Sequence, residues 1–256
     1  MDVLTPTAAR RPRDYVAVRG PDAAEFLDRM LSNEVAKAPC RALLLTPKAR
    51  VIAPLTVVRR ADDDFLLLTE PGLGPTLQGA LLRARFAAKV EIEPEEHTSL
   101  LVFGGGQGIP NDDYGVPAVE VLDGEPPAEL ASDEELERLR ILAGRPRWGR
   151  EIDDRVLPAE AGLTETHVSF SREKGCYPGQ EPIARLHYRG KANRGLRVLE
   201  VEGAPEPETE VLHGEKTVGR ITSSVPGLAL AYVRVEVPED ADLVVGGARA
   251  SFVRQT

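Results

Sequence analysis

Residues 42–69 read ALLLTPKARVIAPLTVVRRADDDFLLLT. Three apolar, β-branched or aliphatic runs, 42–46, 51–59 and 65–69, are separated by a Pro-Lys-Ala turn and a triple-aspartate turn. Short runs of this kind bounded by turn residues are strand signals, so three consecutive strands are expected. Upstream, residues 14–19 (DYVAVR) read as another strand, and residues 20–25 open a helix. Asp22 is placed to cap that helix with Glu25 three residues on, and Phe26, Leu27, Met30 and Leu31 form its apolar stripe. Downstream, residues 73–88 have Leu77, Ala80, Leu81 and Ala84 on one helical face, and residues 89–93 read as a strand. Strands interspersed with single helices in this order predict a small α+β sandwich.

Residues 103–108 (FGGGQG) fail as a nucleotide loop. The G-x-G-x-x-G spacing breaks at Ile109, and no Gly-Lys-Ser/Thr follows. They read as a flexible connection, as do residues 123–127. Ser132-Asp-Glu-Glu135 is a capping box, and the helix it opens has a natural C′ glycine in Gly144. Residues 149–162 and 171–179 show no sustained periodicity. From residue 196 onward short apolar runs alternate with Gly, Pro and acidic turns, which predicts a small barrel or sandwich.

The chain has 256 residues, 42% of them hydrophobic, and a net charge of −9. The charge argues against strong non-specific nucleic-acid binding, which needs basic surface to release counterions. Residues 1–14 have no signal-peptide core, and no apolar run approaches the length of a membrane span. The two cysteines, Cys40 and Cys176, make no disulfide framework. A cytoplasmic protein without membrane association is expected. One strip departs from the acidic average: residues 185–197 carry Arg185, Arg189, Lys191, Arg194 and Arg197 with no acid, and suit a small anion.

Cys176 lies in EKGCYPGQEPIAR, residues 173–185. The nearby cations Arg172, Lys174 and Arg185 favour a thiolate, and a Gly/Pro-rich segment is a poor place to bury a thiol. A functional thiol is therefore expected. Nothing marks His167 or His187 as the base of a Cys–His hydrolase. No self-contained metal site is expected, although Cys176 can serve as a transient ligand. Glu160, between Pro158 and Gly162, is a carboxylate suited to the N–H groups of a heterocycle, and Trp148 is either a stacking surface or core packing.

KGCYPGQEPIAR followed by LHYRGKANRGL (residues 174–196) resembles the K-G-C-Y-x-G-Q-E signature of the YgfZ-type folate-binding proteins, relatives of the glycine cleavage T-protein (aminomethyltransferase). Residues 15–35, 43–57, 142–163 and 218–234 resemble further stretches of that family, so the likeness covers most of the chain. The resemblance implies a three-lobed ring of T-protein type, with a ferredoxin-like lobe and a small C-terminal β-barrel. The expected division is 1–46 plus 118–190 for a discontinuous folate-binding lobe, 47–117 for the ferredoxin-like lobe and 191–256 for the barrel. It implies a tetrahydrofolate or related ligand held by Glu160, Trp148, Arg185, Arg189 and Lys191. It also implies a functional thiol at Cys176 set among Lys174, Tyr177, Gln180 and Glu181. The partners implied are iron–sulfur client or assembly proteins, tRNA-modifying enzymes among them, with any cluster held only transiently. T-proteins carry Asp-Asp where this chain has Ala53-Pro54, so a folate-binding accessory protein is expected rather than an aminomethyltransferase. The alternatives are a folate-dependent one-carbon enzyme and a non-catalytic interaction protein with a decayed folate pocket.

Overall fold

The computed structural model describes residues 7–253, so part of the N-terminal stretch read above for a signal peptide, residues 1–6, lies outside the described residues. The first half runs β1 (Ala8–Arg10), β2 (Asp14–Arg19), α1 (Ala23–Met30), β3 (Cys40–Leu45), β4 (Val51–Ala61), β5 (Asp64–Thr69) and α2 (Gly74–Ala84). There follow β6 (Glu91–Glu95), β7 (Ser99–Phe103), β8 (Ile109–Asn111), β9 (Ala118–Leu122), α3 (Asp133–Leu142), α4 (Thr164–His167) and α5 (Gln180–Arg189). The remainder is β10 (Arg194–Glu200), β11 (Glu210–His213), β12 (Lys216–Val225), β13 (Leu228–Arg234), β14 (Leu243–Val245) and β15 (Ala248–Phe252).

The stretch 42–69 forms β3, β4 and β5 of an antiparallel five-stranded sheet in the order β3-β4-β5-β2-β6. Both faces of β5 are covered: Phe65 and Leu67 join the core beneath α1 and α2, while Leu66 and Leu68 pack with Tyr15 and Ile109. A strand buried on both faces reads as a continuous apolar run, which is why FLLLT does not alternate. Burial of each large core side chain, such as Leu27, Leu77 or Leu81, contributes about 1.5–3 kcal/mol. A four-stranded sheet, β1-β7-β9-β8, stands beside this one, and β10–β15 close into a six-stranded barrel.

Two local expectations are corrected. Asp22 does not cap α1 with its side chain; its carboxylate accepts the Lys89 N–H at 2.8 Å instead. Helix α2 stops at Ala84 rather than Ala88, because Phe86 turns into the left-handed region (φ 44°), and its N-terminus is capped from β2 by Asp14 through Gly72 N and Gly74 N (3.0 and 2.8 Å). Strand pairing joins residues on either side of 46/47 and of 117/118: β3 and β4 are adjacent in one sheet, and β9 pairs with β7. Strands joined by a short turn pair with each other, so residues 40–61 form one hairpin. The capping box is as expected, with Ser132 Oγ accepting Glu135 N–H and the Glu135 carboxylate accepting Ser132 N–H, and Gly144 takes φ 65° after α3.

The barrel is fastened to the rest through Glu151, which is 1% exposed. Its carboxylate accepts Ser223 Oγ–H (2.6 Å), Arg140 Nη1–H (3.1 Å) and Arg147 N–H (3.0 Å), and its backbone carbonyl accepts Tyr232 Oη–H (2.6 Å). A buried carboxylate with this many donors is the kind of fully satisfied polar joint that fixes one docking geometry.

Candidate functional site

A cavity of about 400 Å³ lies between the two sheets and the α3–α4 segment. The end of β1 and the linker to β2 give it Arg10, Arg11 and Arg13; β3 and β4 give Arg41, Pro54, Leu55 and Thr56. Helix α3 turns Asp133, Leu136, Glu137 and Arg140 toward it, the i, i+3, i+4, i+7 spacing of one helical face. The loop after α3 adds Arg145, Arg147 and Trp148, and α4 adds Thr166 and His167. Pro54 stands one residue beyond the last β4–β5 pair, Leu55↔Thr69, and its carbonyl accepts Thr69 Oγ1–H at 2.7 Å.

Seven arginines and four carboxylates line the cavity, an excess of three positive charges with His167 neutral. The acids among them are mostly engaged. Glu70 bridges Arg11 (2.8 Å) and Arg13 (3.1 Å), Asp113 pairs with Arg41 (2.9 Å), and Glu137 pairs with Arg140 (2.7 Å) and Arg147 (3.1 Å). Burial alone would raise the Asp113 carboxyl, but Arg41, Arg11 and Arg13 hold it below the usual range. Burial, followed by the charge of Arg41, pushes the His167 imidazole down to about 3, and its Nδ1 is 2.8 Å from Thr166 Oγ1. The cavity therefore holds an uncharged imidazole among guanidinium groups at neutral pH. Two buried donors in its wall, Arg11 Nε and Arg145 Nε, have no hydrogen-bond partner among the described residues. Orphaned buried donors of this kind are rare and favour an acceptor from outside the chain.

Cys176 is exposed, on the loop before α5. The loop is pinned on both sides of it. Lys174, whose side chain is 0% exposed, donates to the Asp28 carbonyl and to Asp28 Oδ2 (3.2 Å) and lies 5.3 Å from the Tyr177 ring centroid. Tyr177 is buried among Leu43, Val51, Ile183 and Tyr232. Gly179, at φ 83°, sits so close to the β3–β4 turn that a Cβ there would come within 2.7 Å of the Thr46 carbonyl oxygen. Lys174, expected among the cations around the thiol, is thus committed to Asp28.

Residues 193–256 match the CAF17 C-terminal beta-barrel domain. The chain is 28% identical to the human mitochondrial iron–sulfur cluster assembly factor IBA57 over 86% of its own length and 75% of that protein. It is 30% identical to the tRNA-modifying protein YgfZ of Klebsiella pneumoniae over 63% of its length, which spans about half (49%) of that protein. Among solved structures it is similar to the glycine cleavage aminomethyltransferase T of Bartonella henselae, with a TM-score of 0.78 at 19% identity, covering 97% of this chain and 84% of that one. These likenesses support a YgfZ/IBA57-type, aminomethyltransferase-like family for the chain. Its fold is accordingly the T-protein fold, two sheet lobes and a closed barrel.

On this scaffold the residues expected to hold a ligand are not brought together. Trp148 lines the cavity, half-buried. Glu160 instead pairs with Arg194 (3.1 Å) and accepts the Leu157 N–H, outside the cavity lining. Arg185 and Arg189 border a separate groove with Leu157 and Pro182, and Lys191 lies on a third, smaller one. Two cations of the basic strip are consumed: Arg194 by Glu160 and the Tyr232 ring, Arg197 by Glu239 and the Phe252 ring. Gln180 opens α5, its N–H on the Tyr177 carbonyl at 3.3 Å, and Glu181 is exposed in its first turn. The cavity arginines were not anticipated, yet a signal existed: Arg11-Pro12-Arg13 and Arg145-Pro146-Arg147 both place arginines on either side of a proline. Proline fixes an extended backbone and spreads such side chains along one wall. Among the described residues no group of three or more His, Cys, Asp or Glu side chains could hold a metal ion.

Proposed function

We propose that the chain is a folate-binding accessory protein of iron–sulfur metabolism in the cytoplasm. It holds a tetrahydrofolate or similar anionic pterin in the arginine-lined cavity and presents Cys176 to iron–sulfur client or assembly proteins, tRNA-modifying enzymes among them. The observation that carries the reading is an exposed thiol on a loop anchored at Lys174, Tyr177 and Gly179. A nucleophilic or metal-ligating cysteine needs access together with a fixed backbone, and that loop combines the two. The human relative's name, iron–sulfur cluster assembly factor, supports the partner class.

The cavity residues fit a folate. The orphaned Arg11 Nε and Arg145 Nε and the excess of guanidinium groups suit its carboxylates, Trp148 offers a face for the pterin, and Asp113 or Glu70 can accept from ring N–H groups. A bound reduced folate supplies ring nitrogens able to carry a one-carbon unit. The chain's own residues bind and orient it; Asp133 and the neutral His167 also line the cavity, but β4 offers no carboxylate there. Pro54 lines the wall where T-proteins have an aspartate, and Glu70, Asp113 and Glu137 are each held by arginines. Binding without aminomethyl transfer is the reading that follows.

The test has two arms. Calorimetric titration with tetrahydrofolate should saturate for the wild type and weaken about tenfold in Arg145→Gln. In cells lacking the chain, Cys176→Ser should fail to restore iron–sulfur enzyme activity that the wild type restores. Full rescue by Cys176→Ser would overturn the role of the thiol, and absence of any binding heat would overturn the folate part.

A further inference from the structure

The groove beside α5 has a composition unlike the rest of this acidic surface. Its floor is apolar, built from Leu157, Pro158, Pro182 and Leu186, and its volume is about 590 Å³. Its rim carries Lys48, Arg50, Arg185 and Arg189, and no acidic side chain lines it. Pro182, Arg185, Leu186 and Arg189 fall at i, i+3, i+4 and i+7, so α5 turns one amphipathic face into the groove.

The rim cations are not paired with acids among the described residues. Lys48, Arg185 and Arg189 have no carboxylate partner among the described residues, and Arg50 donates only to the Arg155 carbonyl. Many exposed arginines elsewhere are matched with acids, as in Arg59–Asp62, Arg220–Glu208 and Arg249–Asp242. The chain has 41 acidic residues to 32 lysines and arginines, so a groove ringed by four cations without one acid stands out from its surroundings. An unpaired cationic rim over an apolar floor is complementary to a segment with alternating apolar and acidic side chains.

We propose that this groove docks a short acidic segment of a partner protein, apolar residues on the floor and carboxylates on the rim. Such docking would bring the partner to Cys176, which lies four residues before the start of α5. The proposal rests on the reading that Cys176 serves partner proteins and adds where, and by what chemistry, the partner is held. A nucleic-acid backbone is the weaker fit: it would use the rim but leave the floor uncovered, and it would be repelled by the net charge of −9. A groove of this size takes a few side chains rather than a folded surface, so the contact is weak and transient.

The test is fluorescence anisotropy on the full chain with a fluorescein-labelled ten-residue peptide alternating Glu and Leu. Its Lys/Leu counterpart and a ten-nucleotide oligo-dT are the comparison probes. The Glu/Leu peptide should bind saturably and weaken as salt is raised. The double variant Arg185→Glu, Arg189→Glu should weaken it at least tenfold, Leu186→Gln should weaken it severalfold, and Arg83→Glu on α2 should leave it unchanged. Undiminished affinity in the double variant, or equal binding of the Lys/Leu peptide, overturns the proposal. Tighter binding of oligo-dT, competing with the peptide, overturns it in favour of nucleic acid. Neither folate nor the thiol takes part in this measurement, so a failed folate titration or full rescue by Cys176→Ser would be distinguishable from failure of the groove.

Discussion

Glu120→Gln tests whether the arginine wall of the cavity is held by the acids behind it. Glu120, on β9, is 2% exposed. It receives Arg13 Nε (3.0 Å) and Nη2 (3.1 Å), Ser99 Oγ (2.7 Å) and Asn111 Nδ2 (3.4 Å). Glutamine keeps the shape and one acceptor but removes the charge opposite a guanidinium whose side chain is only 6% exposed. Removing one partner of a buried ion pair costs about 3–5 kcal/mol. Arg13 retains Glu70 at 3.1 Å, so the low end, about 3 kcal/mol, is expected. For a chain of this size that lowers Tm by about 6–12 °C. The pH dependence has a definite sign. Burial raises the Glu120 carboxyl, but the charge and hydrogen bonds of Arg13 and the Ser99 bond bring it below the usual range. A depressed carboxyl stabilises fully above its unfolded pKa of about 4.3 and loses that contribution as pH falls through the folded value. The gap between wild type and variant should therefore be flat from neutral pH down to about pH 5, then shrink. Thermal melts by circular dichroism across that range decide it. A gap below about 1 kcal/mol at pH 7, or one that widens in acid, refutes the assignment.

Three further outcomes follow from the same geometry. His167, depressed to about 3, should show no imidazole titration by NMR between pH 5 and 8; because the unfolded imidazole protonates near 6.5, stability should fall by about 1.4 kcal/mol per pH unit below that value until the folded pKa is reached. Lys174→Met should cost about 2 kcal/mol in urea unfolding, below a fully buried pair, because Asp28 is 34% exposed and can be rehydrated. Iodoacetamide at pH 8 should label Cys176 at least tenfold faster than Cys40, read by mass spectrometry, since burial, then Asp28 and Glu34, push the Cys40 thiol up to about 11, leaving about one in a thousand ionised.

What could be read without coordinates was whatever depends on neighbours in the chain. The capping box at Ser132 and the C′ glycine at Gly144 are short-range devices, and both are present. The strands of 42–69 were legible because turn residues bound them. Asp22 was misread because its carboxylate serves the Lys89 amide, far along the chain but adjacent in space. Asp14 likewise caps a helix about sixty residues away in sequence, a partner no local pattern announces. The cavity is equally non-local. Glu160 and the 185–197 strip lie close in sequence, but the fold spends Glu160 on Arg194 and assembles the cavity from segments spread between residues 10 and 167.

The two arginine–proline–arginine clusters give that assembly its logic. Seven guanidinium groups around one cavity repel each other, and an apolar wall would be easier to fold. They are tolerated because a layer of acids stands among and behind them: Glu70, Asp113 and Glu137 in the lining, Glu120 and Glu151 behind it. Two of those acids also tie one structural layer to another: Glu120 joins β9 to the β1–β2 linker, and Glu151 joins the barrel to α3. The charges that shape the cavity are thus the charges that hold the lobes in register, which binds the cavity to the fold more tightly than a loop-built site would be. Cys176, by contrast, hangs from contacts that involve none of these groups: Asp28, the hairpin turn at Thr46 and an apolar cluster. The cavity wall and the thiol loop are thus held by separate sets of contacts, so a change that loosens one can leave the other standing.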